Sequence, residues 1–298
     1  YFRKDPEVWD KGGAQGPVTE ADLAIDAMLS AELQRVRPDY GWLSEESEDG
    51  AARLANERVF IVDPIDGTRS FVEGHTPFAQ VIAIAEAGKV THAVVHLPAK
   101  ELTYAAELGQ GATCNNAPMQ VTEHASVEGA DVLAAKTNLA ALHWDGPVPE
   151  VTRHFRPSLA YRMGLVAVGR FDAMLTFRDA WEWDVAAGTL LIEESGGRVS
   201  DMHGQALRYN NPHPQVPGIL AGNPGLHAAL LAWASYRSGR SGLLDVPLRK
   251  VVAASMALDV PVGVAEVEVK GAGTRVRLGG ASQAVCPPRS RKKVPTAA

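Results

Sequence analysis

The chain has 298 residues, 46% hydrophobic and 21% charged, the balance of an ordinary globular protein of one large or two modest domains. A net charge of −6 argues against a protein that coats nucleic acid, and no apolar run is long enough to predict a membrane span. Cys114 and Cys286 offer neither a disulfide framework nor metal-ligand spacing, so a cytoplasmic location is expected, with peripheral association at the inner membrane left open. Thr19-Glu20-Ala21-Asp22 reads as a capping box opening a helix whose apolar positions are Ile25, Met28, Leu29, Leu33 and Val36, stopped before Pro38. An acidic loop at Ser44-Glu45-Glu46, a short helical stretch over 51–56 and a strand that starts at Val59 and ends at Asp63 follow. Strands over 78–85, 90–97 and 102–106, the first two joined at Gly88-Lys89, predict an antiparallel meander.

The second half alternates. A strand over 131–135, a helix over 159–168, a strand over 173–176, a helix over 185–194 stopped at Gly196-Gly197, strands over 198–200 and 219–221, and a helix over 226–236 are expected. This divides the chain into an α+β domain over 1–130 and an α/β domain over 131–236. The remainder, 237–298, reads as a linker at 237–242, a hairpin within 266–278 and a disordered basic end at 287–293. That short basic run is expected to be a solvated tail rather than a nucleic-acid contact.

The chemistry concentrates in Asp63-Pro64-Ile65-Asp66-Gly67-Thr68, where two carboxylates leave a strand next to a glycine. Magnesium takes oxygen ligands and binds through a few carboxylates plus substrate phosphate, and a glycine lets backbone approach an anion. Taken alone the segment could be an ordinary turn. Asp22 and Asp184 could likewise be helix caps, and Glu45-Glu46 a solvated pair. Their combination favours a shared metal site, because several crowded carboxylates repel one another unless cations neutralise them.

Four segments carry a resemblance to a known family. They are Val18-Thr19-Glu20-Ala21-Asp22, Leu43-Ser44-Glu45-Glu46-Ser47, Val62-Asp63-Pro64-Ile65-Asp66-Gly67-Thr68 with Phe71, and Trp183-Asp184-Val185-Ala186-Ala187-Gly188 running to Glu194-Ser195-Gly196-Gly197. In that order they resemble the inositol monophosphatase family, lithium-sensitive, magnesium-dependent phosphomonoesterases, over residues 1–236. The resemblance implies a layered α/β fold of αβαβα type, an antiparallel-sheet domain meeting an α/β domain at the site, usually in a homodimer. It implies two magnesium ions, with a third in some members, and inhibition by lithium. Glu45, Asp63 and the Ile65 carbonyl would hold the first ion, Asp63, Asp66 and Asp184 the second, and Asp22 and Glu45 the third, near Lys11. Asp22, Glu45 and Thr68 form the implied catalytic group, with Thr68 and Asp22 orienting and deprotonating the attacking water. The N–H groups of Gly67 and Thr68 would hold the phosphate, bordered by Asp66 and Asp184. Tyr1-Phe2-Arg3 matches the end of the family's first helix, so most of that helix is expected to be missing here.

The substrate is less legible. At Phe177, animal inositol monophosphatases carry an acidic residue that contacts inositol hydroxyls, so that polar contact is absent. Trp9-Asp10-Lys11, the segment 16–22, Tyr40-Gly41-Trp42 before the acidic loop, and Arg156-Pro157-Ser158-Leu159-Ala160-Tyr161-Arg162 look like the bacterial 3′(2′),5′-bisphosphate nucleotidase branch, which serves sulfate assimilation. The expected substrate is then adenosine 3′,5′-bisphosphate, with Arg162 and Arg178 as candidates for the second phosphate. The alternatives are inositol 1-phosphate or another sugar phosphate, and, from a different class, a non-catalytic binding protein of the same fold.

Overall fold

Residues 8–19 form a short antiparallel ribbon, Val8–Asp10 (β1) against Pro17–Thr19 (β2), that feeds directly into helix α1, Glu20–Val36. In the computed structural model, residues 1–12, 16–234, 265–270 and 273–278 are described. Thr19 caps α1 through its hydroxyl, and the Asp22 side chain returns a bond to the Thr19 N–H, so the predicted capping box is present. Gly41–Ser44 (β3) runs parallel to the long strand Arg58–Asp66 (β4), a tight turn at Ala51–Ala55 lying between them. A short helix, Thr68–Val72 (α2), leads to the meander Ala79–Glu86 (β5), Lys89–Leu97 (β6), Leu102–Glu107 (β7), Gly111–Cys114 (β8) and Ala117–Pro118 (β9). The result is a seven-stranded sheet in the order β3-β4-β5-β6-β7-β8-β9, antiparallel except at β3–β4. Along β5 every second residue is buried, the period that a sheet with one covered face imposes.

Beyond it come Asp131–Ala134 (β10), Thr152–His154 (β11), helix Leu159–Ala167 (α3), Ala173–Thr176 (β12), Ala180–Trp181 (β13) and helix Glu182–Glu194 (α4). Arg198–Ser200 (β14), Gln215–Val216 (β15), Ile219–Gly222 (β16) and helix Pro224–Trp233 (α5) follow. A mixed five-stranded sheet has the order β11-β10-β12-β16-β14. Helices α3 and α4 lie between the two sheets, α1 packs on the outer side of β4, and α5 packs on β14 and β16. That is a layered αβαβα fold. A helix packed on several sides reads as apolar nearly all round, and α4 is buried from Val185 through Ile192. Tyr1–Ser241 form one compact unit and Gly242–Ala298 a second. Within the second, Ala265–Lys270 and Gly273–Leu278 pair antiparallel, as the hairpin expectation had it. The expected linker at 237–242 and basic end at 287–293 lie outside the described residues.

Helix α1 departs from its apolar pattern. Its buried residues are Ala21, Asp22 and Asp26, whereas Leu23, Met28 and Val36 are exposed. Side chains four apart share a helix face, and here that face is chosen by two carboxylates that hydrogen-bond inward rather than by the longest apolar stripe.

Close helix packing between the sheets depends on two glycines. A Cβ at Gly164 would lie 2.9 Å from the Tyr104 ring, and one at Gly188 would lie 2.5 Å from Met163 Cβ on the facing helix. Gly188→Ala gains about 1 kcal/mol of helix propensity, yet it should lower stability, because overpacking a core costs about 1–3 kcal/mol. Urea unfolding checks this, and a midpoint equal to that of the parent chain would show that α3 and α4 part without cost.

Candidate active site

The site starts from an irregularity in β4. Successive strand residues face opposite sides of a sheet, so residues three apart should diverge. Between Asp63, paired with Val81, and Asp66, paired with Ala79, β4 contains one residue more than β5, a bulge at Pro64-Ile65. Proline tolerates this position because it has no N–H to pair. The bulge lets Asp63 and Asp66 converge, and Asp184 joins them, with one oxygen of each within 4.8 Å of the others. The expectation that the strand ends at Asp63 is therefore corrected, since β4 carries both aspartates.

Each carboxylate is anchored differently. Asp66 accepts from Ser158 Oγ at 2.6 Å, Ala160 N–H at 2.7 Å and Leu159 N–H at 3.3 Å, so it docks on the N-terminus of α3. Asp184 lies in the first turn of α4 and takes a bond from the Trp181 N–H. The same helix start is braced by buried Glu182, which accepts from the N–H groups of Asn210 and Asn211 and from Asn211 Nδ2. Asp22 uses Oδ2 for the Thr19 N–H and hydroxyl, leaving Oδ1 3.3 Å from the Thr68 hydroxyl, which also lies 3.1 Å from the Ile65 carbonyl. Glu45 and Glu46 are bridged by Lys11 Nζ at 2.9 and 2.7 Å. Asp63 differs from all of these, because both its oxygens are buried without a hydrogen-bond partner.

Electrostatics follow from this packing. Burial first, then Glu45, Asp66 and Asp184, hold the Asp63 carboxyl well above the usual range. Burial and the neighbouring Asp66 and Glu45 do the same to Asp184. Asp66 is pushed up to about 6 by burial, against the bonds from Ser158 and Ala160. Burial also raises Asp22, and lifts Glu46 to about 7 despite Lys11. For Lys11, burial works against the charge but Glu45 and Glu46 outweigh it, so its pKa is raised. Crowded carboxylates with an orphaned member, offset only in part by the nearby Arg162 charge, suit a hard cation, and these three aspartates could hold a metal ion.

Gly67 has a φ of +100°, and a Cβ there would lie 3.2 Å from the Pro77 carbonyl, so the turn into α2 requires glycine. Arg162 and Arg178 part company. Arg162 is buried, its Nε donating to the Arg156 carbonyl and its Nη2 to that of Pro157, with its cation 4.4 Å above the Phe155 ring. Burial lowers it to about 10, although Asp66 and Asp184 favour its charge. Arg178 is exposed and near enough to Arg162 to disfavour that charge. Phe177 is buried against His143 and Trp144. Trp181 and Trp183 stack on each other at 4.8 Å. Ser158 received no role from sequence, though its place before the apolar run of α3 was a visible cap signal.

Comparison with known proteins agrees with this geometry. The sequence model of the Inositol monophosphatase family matches residues 1–239. An inositol-1-monophosphatase of Rhizobium meliloti is 36% identical over 228 residues, covering 72% of this chain and 80% of the relative. A Nus factor SuhB of Pseudomonas aeruginosa is 32% identical over 232 residues, covering 73% and 82%. Among solved structures, an IMPase of Thermotoga maritima superposes with a TM-score of 0.66 at 30% identity, covering 78% of this chain and 88% of that one.

The raised carboxylates predict how stability depends on pH. A folded chain that holds protons more tightly than the unfolded one loses stability as pH rises from the unfolded carboxylate range through the folded values. Metal-free protein should therefore melt at progressively lower temperature as pH climbs from about 4 past the value of about 6 for Asp66. Asp63→Asn should flatten that decline and abolish stabilisation by added magnesium. Thermal melts across pH, with chelator or with magnesium, check both, and an unchanged slope in the variant would contradict the assignment.

Proposed function

The chain belongs to the inositol monophosphatase family, a family of phosphomonoesterases, and on that premise we propose that it hydrolyses a phosphate ester with water activated at the Asp63, Asp66 and Asp184 centre. The observation that carries this reading is the orphaned carboxylate of Asp63 facing two further aspartates beside the Thr68–Asp22 hydrogen bond. Asp63, Asp66, Asp184, Glu45 and the Ile65 carbonyl would hold magnesium, and Asp22 with Glu45 a third ion. Magnesium in such a site supplies the positive charge that acidifies water and stabilises the oxygens of an in-line displacement.

The protein's own groups do the positioning. A hydroxyl has one proton, so when Thr68 donates to Asp22 its lone pairs face outward and can orient a water. Asp22 then receives the proton, its other oxygen remaining pinned by Thr19. The first N–H groups of a helix lack intrahelical acceptors, and those at Gly67 and Thr68 would hold the phosphate. Lys11 would lie beside the departing charge through its pairing with Glu45. No covalent nucleophile is needed, since phosphoryl transfer is chiefly positioning and charge stabilisation.

For the substrate we propose a bisphosphorylated nucleotide, adenosine 3′,5′-bisphosphate losing its 3′-phosphate. Two observations support it over inositol 1-phosphate. Phe177 is buried in an aromatic contact and offers no polar atom to a polyol, and the exposed Arg178 suits a second phosphate, whereas Arg162 is engaged by the carbonyls of Arg156 and Pro157. Relatives named inositol-1-monophosphatase keep the inositol ester as the second reading. Phosphate release should give a higher kcat/KM for the bisphosphate. Arg178→Ala should reduce that value about ten-fold, the worth of a charge-assisted hydrogen bond, while leaving inositol 1-phosphate unaffected. A preference for the inositol ester in the parent chain would overturn the nucleotide assignment. Asp66→Asn should abolish turnover on both substrates with an unchanged circular-dichroism spectrum, and a fully active variant would remove the metal-centre reading.

A further inference from the structure

Asp26 lies one turn beyond Asp22 on the same face of α1 and is buried. Its Oδ1 accepts from Ser44 Oγ at 2.5 Å and its Oδ2 from Ser47 Oγ at 2.6 Å. These serines flank Glu45-Glu46 on both sides. Each hydroxyl has a single proton, so both serines direct theirs to the one carboxylate. Their lone pairs then serve the same segment: Ser47 Oγ accepts from Trp42 Nε1 at 3.1 Å, and Ser44 Oγ lies 3.4 Å from the Glu46 N–H. The backbone supplies a third fixed point, because the Glu45 N–H donates to the Val62 carbonyl at 3.2 Å, next to Asp63.

We infer that Asp26 is a positioning residue for the metal centre, clamping Ser44 and Ser47 so that Glu45 is aimed at the aspartates. This rests on the magnesium reading given above. Asp26 is not one of the three converging aspartates and acts through the serines. Among the described hydrogen bonds, the donor to the Glu45 carboxylate is Lys11, itself a long side chain. Without the clamp, a four-residue acidic segment would be left to choose among orientations in which Glu45 faces solvent, where its charge is best hydrated. With it, α1 becomes a common ruler: Asp22 addresses Thr68 and Asp26 addresses the Glu45 segment from one rigid helix face.

The clamp makes a quantitative demand. Groups that orient metal ligands contribute about ten- to a hundred-fold to metal affinity. Isothermal titration of magnesium into the metal-free full chain should show Asp26→Asn binding about ten-fold more weakly than the parent. The amide presents a donor to one serine where the carboxylate presented an acceptor. Ser47→Ala, which keeps one half of the clamp, should fall between the two. The magnesium concentration for half-maximal turnover should rise in parallel, while kcat at saturating magnesium recovers. A purely structural role for Asp26 would lower the metal-free melting temperature without moving the magnesium constant. An unchanged constant in folded Asp26→Asn therefore overturns the inference. If that variant does not fold, an unchanged constant in Ser47→Ala does the same. Parent chain that takes up no magnesium would instead sink the metal-centre reading, and this inference with it; Asp63→Asn separates the two cases, since it should lose uptake whatever Asp26 does.

Discussion

Desolvated negative charge is the constraint around which the molecule is arranged. Asp22, Asp63 and Asp66 are buried and Asp184 lies against them, all with carboxyls above their usual range and burial as the leading cause. Like charges in a low-dielectric setting repel strongly, so without a counter-charge the cluster favours protonation or unfolding. The chain tolerates this because a large apolar core around α3 and α4, between the two sheets, extends well beyond the site. Stability supplied in one place supports a strained, functional arrangement in another.

The architecture also lessens the repulsion. Four helices begin at the site: α1 with Asp22 in its first turn, α2 at Thr68, α3 with Ser158 and its first N–H groups on Asp66, and α4 with Asp184 in its first turn. A helix N-terminus carries roughly half a positive charge and favours anions by about 0.3–1 kcal/mol when exposed, more when partly buried. The layered fold thus turns the starts of α1, α3 and α4 each toward one carboxylate, and that of α2 toward the proposed phosphate position. Glu182 and Arg53 extend the bracing outward. Arg53 pairs with Asp49 beyond the acidic segment and bonds Asn210, whose N–H reaches Glu182 at the start of α4. Residues far apart in sequence are held in one register by fully paired polar groups.

How much of this could be read beforehand depended on the range of the signal. The capping box at Thr19, the meander and the end of α4 before Gly196 depend on local periodicity and turn chemistry; the meander strands form within a residue of expectation, whereas α4 begins at Glu182, three residues earlier than expected. Asp22, Asp66 and Asp184 are legible because each stands at an element end beside a glycine, a cap or a motif neighbour, and Asp63, three residues inside the end of β4, because it shares a motif with Asp66. The bulge at Pro64-Ile65 was not, since it is a mismatch between two strands and neither strand alone reveals it. The rotation of α1 was misjudged for a related reason. Its apolar residues suggested one buried face, but Asp22 and Asp26 found buried partners on Thr68, Ser44 and Ser47, and an unpaired buried carboxylate costs more than an exposed leucine. Arg162 looked like a free phosphate fork until the carbonyls of Arg156 and Pro157 were seen to engage it.

The distribution of hydrogen bonds within the cluster shows how the labour is divided. Asp22 and Asp66 each accept bonds from the protein that hold them whether or not a cation is present. Asp63 accepts no bond from a neutral or cationic group among the described residues; its side-chain neighbour is another acid, Asp184, with which it can share only a proton. A group that is to respond to a cation should be the one least committed to the scaffold, and β4 places that residue on its buried stretch, where its backbone is paired with Val81 of β5. Rigidity therefore comes from the backbone ladder and responsiveness from the empty hydrogen-bonding capacity of the side chain. A donor introduced next to Asp63 would satisfy it, and would remove the feature that suits the centre to a cation.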